Sequence, residues 1–82
     1  MKKLNPDSFI AGILRAFEHP PEKLSLASTF RELQGWDSLA SVMVVAEIYA
    51  DYRVQITGDE LRACETVANL FSLVEAKVQP TS

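Results

Sequence analysis

Cysteine and histidine are nearly missing from this 82-residue chain, which holds one of each, Cys64 and His19. A single cysteine excludes an internal disulfide and a cysteine-only zinc site, and one histidine does little for a metal centre. Long apolar runs are missing as well. The first residues, Met1-Lys2-Lys3-Leu4-Asn5-Pro6, are basic, but an interrupted amphipathic pattern follows them, and no stretch approaches the length of a membrane span. There are no internal repeats and no low-complexity tracts. A chain this short with 48% hydrophobic residues fits one small domain held by packing alone. The expectation is a single domain over residues 1–82, monomeric, cytoplasmic and free-standing, with its core between about 5 and 78.

Excess positive charge is also absent. The net charge is -3, and it is unevenly spread: residues 1–37 carry five basic and five acidic side chains, residues 38–82 three basic and six acidic. Nucleic acid, which requires basic patches, is disfavoured as a partner. The acidic second half favours a basic protein partner steered by charge.

Helical signals dominate what is present. Asn5 and Pro6 form a cap and a first helical residue, and Phe9, Ile10, Ile13, Leu14 and Phe17 then recur as one stripe, predicting a helix over 6–18. His19-Pro20-Pro21 stops it. The connection from Pro20 to Trp36 is long for a compact domain, and Leu24, Leu26, Phe30 and Leu33 predict that it is pinned across the core, with a helical turn around 28–33. Arg53-Val54-Gln55-Ile56 alternates like a strand but has no second strand to pair with, which predicts an extended linker. Thr57 or Gly58 caps a short helix over Asp59-Glu60-Leu61, and Thr66 caps a last one presenting Val67, Leu70, Phe71, Val74 and Val78. Pro80-Thr81-Ser82 reads as a frayed tail. The fold class is all-α: a four-helix bundle with a long first loop and a short third helix.

The remaining helix, from Ser38 to about Tyr52, is apolar on two sides: Val44, Val45, Ile48 and Tyr52 on one, Leu39, Val42, Met43, Ala46 and Ala50 on the other. Burying all of it is hard in so small a domain, so one stripe is assigned to the core and the other to a binding surface. Asp37 and Ser38 stand at its start, and either can cap it. One of the two is then spare. A serine nucleophile would want a base within reach, and His19, in a proline-rich turn, is read as a solvated loop residue rather than that base. Cys64, beside Leu61 and Val67, reads as a small core residue, and Trp36 as a large side chain covering the core edge.

Gly35-Trp36-Asp37-Ser38-Leu39, following a long loop and opening a helix with Val42, Val44 and Val45, resembles the attachment site of the acyl carrier protein family. The resemblance continues through Glu47-Ile48, Tyr52, Val54-x-Ile56, Asp59-Glu60-Leu61 and Thr66-Val67-x-x-Leu70, and spans residues 5–78. It implies that Ser38 carries covalent 4′-phosphopantetheine, preceded by the motif acid Asp37. It further implies a non-enzymatic carrier that holds an acyl group as a thioester. Implied partners are a phosphopantetheinyl transferase, an acyl- or aminoacyl-activating ligase, and a ketosynthase or acyltransferase, with no membrane and no nucleic acid. Acyl chains in the family can lie among the helices, at positions matched here by Phe30, Val44, Ile48 and Ala63. A phosphodiester on Ser38 would sit at a helix N-terminus, where negative charge is favoured.

One departure from the family stands out. Carriers of bacterial fatty acid synthesis place acids where this chain has Ala40, Met43, Tyr49 and Ala50. Leu39, Val42, Met43 and Ala46, with Glu47 beside them, become the expected partner surface, apolar and adaptable. This pattern points toward a polyketide, nonribosomal peptide or other specialised pathway. Two alternatives stay open: an aminoacyl or peptidyl carrier, and an unmodified helical adaptor that binds a partner through the same surface.

Overall fold

Asn5 starts the first helix by accepting a hydrogen bond from the Ser8 backbone N–H at 2.9 Å, with Pro6 where its missing N–H costs nothing. The computed structural model describes residues 4–17 and 19–78. Its helices are α1 (Pro6–Arg15), α2 (Ser38–Tyr52), α3 (Gly58–Ala63) and α4 (Val67–Val78), with a 3-10 turn at Phe30–Glu32 between α1 and α2. Among the described residues there is no strand, only an isolated bridge between Thr29 and Thr66. The all-α expectation holds. No described helix is long and apolar enough to cross a membrane.

The first helix is shorter than its hydrophobic stripe. It ends at Arg15, and Ala16 and Phe17 then bond back to Ile13 and Leu14, three residues away instead of four. That tighter turn still delivers the Phe17 side chain to the core. Glu18, the expected last residue, and the 80–82 tail lie outside the described residues.

Thr57 is the α3 cap. Its hydroxyl accepts from the Glu60 N–H while the Glu60 carboxylate accepts from the Thr57 N–H, a reciprocal capping box. Thr66 caps α4 by accepting from the Asn69 N–H at 3.1 Å. Both expectations are met. Arg53–Ile56 is the extended linker that the unpaired alternation predicts, with Val54 and Ile56 buried and Gln55 exposed. The chain enters it through Arg53, whose left-handed backbone (φ 58°) closes α2 while its guanidinium lies over the Tyr49 ring.

The core gathers one face from each helix: Phe9 and Ile13 from α1, Val44, Ile48 and Tyr52 from α2, Leu61 from α3, and Val67, Leu70 and Val74 from α4. Phe9 ties three elements together, edge-on to Phe71 at 5.2 Å and tilted against Tyr52 at 6.2 Å. Where α1 crosses α2, a Cβ on Gly12 would stand 3.1 Å from Asp51 Oδ2, so the missing side chain is what lets the helices close up. Arg15 then spans the seam, donating to Glu47 Oε2 at 3.0 Å and Asp51 Oδ2 at 3.1 Å.

The long connection is pinned, as its leucines predict, and the pin is backbone. Val67 and Ala68 N–H groups, which start α4 and have no partner within it, donate to Ser28 and Leu26 carbonyls, while Phe30 N–H donates to Glu65. The predicted turn at 28–33 is the shorter 3-10 turn. On the far side of the bundle Lys77 Nζ joins α4 to both Glu60 and the Gln55 carbonyl.

That last contact makes stability depend on pH. The Lys77 hydrogen bond and the capping contact with Thr57 hold the Glu60 carboxyl below its ordinary value of 4.5. Its stabilising contribution is therefore complete above the ordinary glutamate range and is lost as pH falls through the lowered value. Urea midpoints from pH 6 to pH 3 should fall more steeply for the parent than for Glu60→Gln; parallel curves would show that this contact contributes nothing.

Candidate functional site

The α2 start resolves which of two neighbouring residues is the cap. Asp37 has extended backbone, and its carboxylate accepts the Ala40 N–H at 2.8 Å. Ser38 is thus the first helical residue, exposed, and its hydroxyl makes no hydrogen bond among the described residues. The backbone N–H groups of Ser38 and Leu39 precede the helix's own ladder, and with the helix dipole they make this end favourable for negative charge.

Sequence immediately upstream holds that end in place. Gly35 adopts φ 87°, a left-handed turn that a side chain would strain. The turn swings Trp36 back onto the bundle, its ring 4.7 Å from Phe30 and 6.0 Å from Phe17. Trp36 N–H also donates to the Leu33 carbonyl, continuing the turn begun at Phe30. The Asp-Ser pair therefore leaves from a short segment packed by three aromatic rings.

Ser38 opens onto a groove of about 770 Å³ between the 3-10 turn, α2 and α3. Phe30, Trp36, Val45, Ile56 and Leu61 supply its apolar floor and walls, and Thr29, Arg31, Ser41, Arg62 and Glu65 its polar lining. Arg62 is ion-paired with Asp59 on its own helix. Cys64 also lines this groove, half-buried, its thiol donating to the Glu60 carbonyl at 3.4 Å. Burial, and then the charge of Glu60, push that thiol up, which disfavours the reactive thiolate. His19 is exposed and lines a second cleft with Phe17, Asp37, Leu39 and Met43, which Ser38 does not line. Among the described residues no group of three or more His, Cys, Asp or Glu is arranged to hold a metal.

The expected partner surface largely faces outward. Leu39, Val42 and Met43 are 64%, 62% and 45% exposed, and Ala46 is exposed beside them. Glu47 differs from the expectation. It is half-buried and bound by Arg15, because α1 passes close enough for the guanidinium to take it; the same carboxylate hydrogen bond is the main cause of the raised Arg15 pKa. Ala63, expected to line an internal cavity, is exposed because the short α3 turns Leu61 inward instead. Phe30, Val44 and Ile48 are buried. Sequence reasoning missed the groove roles of Trp36, Arg31 and Arg62. Trp36 had a signal, its place directly before Asp37, whereas the arginines join the site only through the packing of the loop and α3.

The chain matches the family model of the phosphopantetheine attachment site over residues 8–74. It is 34% identical over 64 residues to acyl carrier protein 3 of Ralstonia nicotianae, an alignment that covers 78% of this chain and 74% of that protein. No solved structure matches it significantly.

Because Asp37 is the cap, the two neighbours should respond differently to alanine. Asp37→Ala is expected to cost about 0.5–2 kcal/mol, and Ser38→Ala no more than about 0.5 kcal/mol, both measured by urea denaturation. Equal losses would mean that Ser38 shares the capping role.

Proposed function

Because this chain belongs to the acyl carrier protein family, whose attachment domain carries covalent 4′-phosphopantetheine, we propose that Ser38 is its attachment point. The observation that carries this reading is the exposed hydroxyl at the first position of α2, released from capping by Asp37. The residues fit the group: a phosphodiester there meets the free N–H groups of the first turn, with Arg31 and Arg62 along the same groove. When bound, the group supplies a thiol at the end of a flexible arm, on which an acyl intermediate is held as a thioester. The protein is a carrier and not an enzyme. Asp37 fixes the first turn, Gly35 and Trp36 set the direction in which Ser38 leaves the bundle, and the groove gives the arm a wall.

Leu39, Val42, Met43 and Ala46 form the surface that partners read. With Glu47 and Asp51 bound by Arg15, this face offers apolar contact more than negative charge. It suits a phosphopantetheinyl transferase, an activating ligase and an acyltransferase or ketosynthase whose docking faces are apolar, in the cytoplasm and in a specialised acyl pathway. Carriers read by strongly basic enzyme surfaces would present acids here instead. The whole chain is read as a single carrier domain.

Incubation of the apo protein with coenzyme A, magnesium and a broad-specificity phosphopantetheinyl transferase should add one phosphopantetheine to the parent and none to Ser38→Ala in intact-mass spectra. An unmodified parent beside a modified control carrier would remove the attachment reading. Met43→Glu should lower kcat/KM with the cognate ligase or acyltransferase by about tenfold or more, while stability moves by no more than about 0.5 kcal/mol. Unchanged kinetics would place the docking surface elsewhere.

A further inference from the structure

Every exposed residue of α2 is uncharged. Leu39, Val42, Met43, Ala46, Tyr49 and Ala50 recur at helical spacing and form one exposed stripe along the helix, and from Leu39 to Arg53 it runs about 21 Å. Both acids of the helix, Glu47 and Asp51, are turned to the α1 seam, where Arg15 binds them. The stripe also has a centre. Ala46 stands seven positions after Leu39 and seven before Arg53, with Val42 and Met43 on one side of it and Tyr49 and Ala50 at the matching distances on the other. Opposite charges mark its two ends. Asp37 is exposed at the first, and Arg53 is exposed at the second, its guanidinium lying over the Tyr49 ring.

From this symmetry we propose that α2 docks on α2 of a second copy of the chain, antiparallel, with the two Ala46 residues facing each other on a twofold axis. A twofold interface uses one patch on both copies, so the patch must complement itself when turned end for end. Turned about Ala46, the stripe sets Val42 and Met43 of each copy against Tyr49 and Ala50 of the other, large side chains beside small ones. Ala46 itself lets the helix axes approach to about 8 Å, the near limit for packed helices. The same turn brings Arg53 of each copy to the end where Asp37 of the other stands, whereas a parallel pairing would set like charges together. These side chains would bury on the order of 1,000 Å² over both copies, the size of a weak and transient interface. The dimer therefore stands in equilibrium with the monomer expected from the sequence, with a Kd between about 10 µM and 1 mM. It covers the face proposed above for partner enzymes, so self-association and docking exclude each other. It does not require Ser38 to be the attachment point.

The test is sedimentation equilibrium of the full chain under reducing conditions, with Ser38 verified by mass as unmodified so that no added thiol interferes. The average mass should rise from near 9.1 kDa at about 1 µM toward twice that at about 1 mM. A mass still at 9.1 kDa at the higher concentration overturns the proposal. Ala46→Glu sets two acids against each other across the axis and should hold the chain at the monomer mass throughout, with its helical circular dichroism and urea midpoint unchanged. Association undiminished by that change would place the contact elsewhere and overturn the proposal too. Disulfide trapping in a Cys64→Ala background reads the orientation. Ala46→Cys should form a covalent dimer about tenfold faster than Leu39→Cys, and a mixture of Leu39→Cys and Arg53→Cys chains should link mainly to each other. Leu39→Cys chains that link to themselves as fast as Ala46→Cys chains do would show a parallel pairing and overturn the antiparallel one.

Discussion

The hydrogen bond from the Ala40 N–H to the Asp37 carboxylate is the constraint on which the rest of the site depends. A helix start leaves several backbone donors unpaired, and some side chain must answer them. Because Asp37 does so, its neighbour keeps an uncommitted hydroxyl facing water at the same positive helix end. Had Ser38 been the cap, its oxygen would have been turned into the first turn and not left to solvent. The division between a residue that closes the helix and a residue left available explains why two polar side chains stand together in front of an apolar helix.

The same helix has to serve two solvents. Ala40, Val44, Ile48 and Tyr52 face the core, while Leu39, Val42 and Met43 face outward, so α2 is apolar on both sides. Its charges are confined to the seam with α1, where Arg15 binds both Glu47 and Asp51 and Gly12 lets the two helices approach. Those carboxylates contribute to holding α1 and α2 together, and they are correspondingly less available to a partner. The exposed face of α2 is left with apolar side chains, Leu39, Val42 and Met43.

Stiffness near the site comes from a connection with almost no regular structure. Residues 26–30 satisfy the first N–H groups of α4 and fasten themselves to the carbonyl before it, so a loop and a helix start complete each other. This arrangement sets Phe30 against Trp36 and gives the groove a fixed wall on the side opposite α3. Lys77, reaching Gln55 and Glu60, steadies the linker and α3 from the other side.

The chain's sequence by itself determined the order and beginnings of the helices, because caps and prolines act within one turn of where they stand: Asn5, Thr57 and Thr66 each do what their spacing requires. It also determined that the segment after Arg53 is extended and that α2 carries a second apolar face, since both follow from periodicity. The motif around Ser38, read as a resemblance, pointed to the family before any packing was known. Only the tertiary structure decided that α1 closes at Arg15, that Glu47 turns to Arg15, that Ala63 faces outward, and that Trp36, Arg31 and Arg62 share one groove. Each of these depends on where a distant segment comes to lie, and the spacing of residues along one helix carries no information about the distance between two.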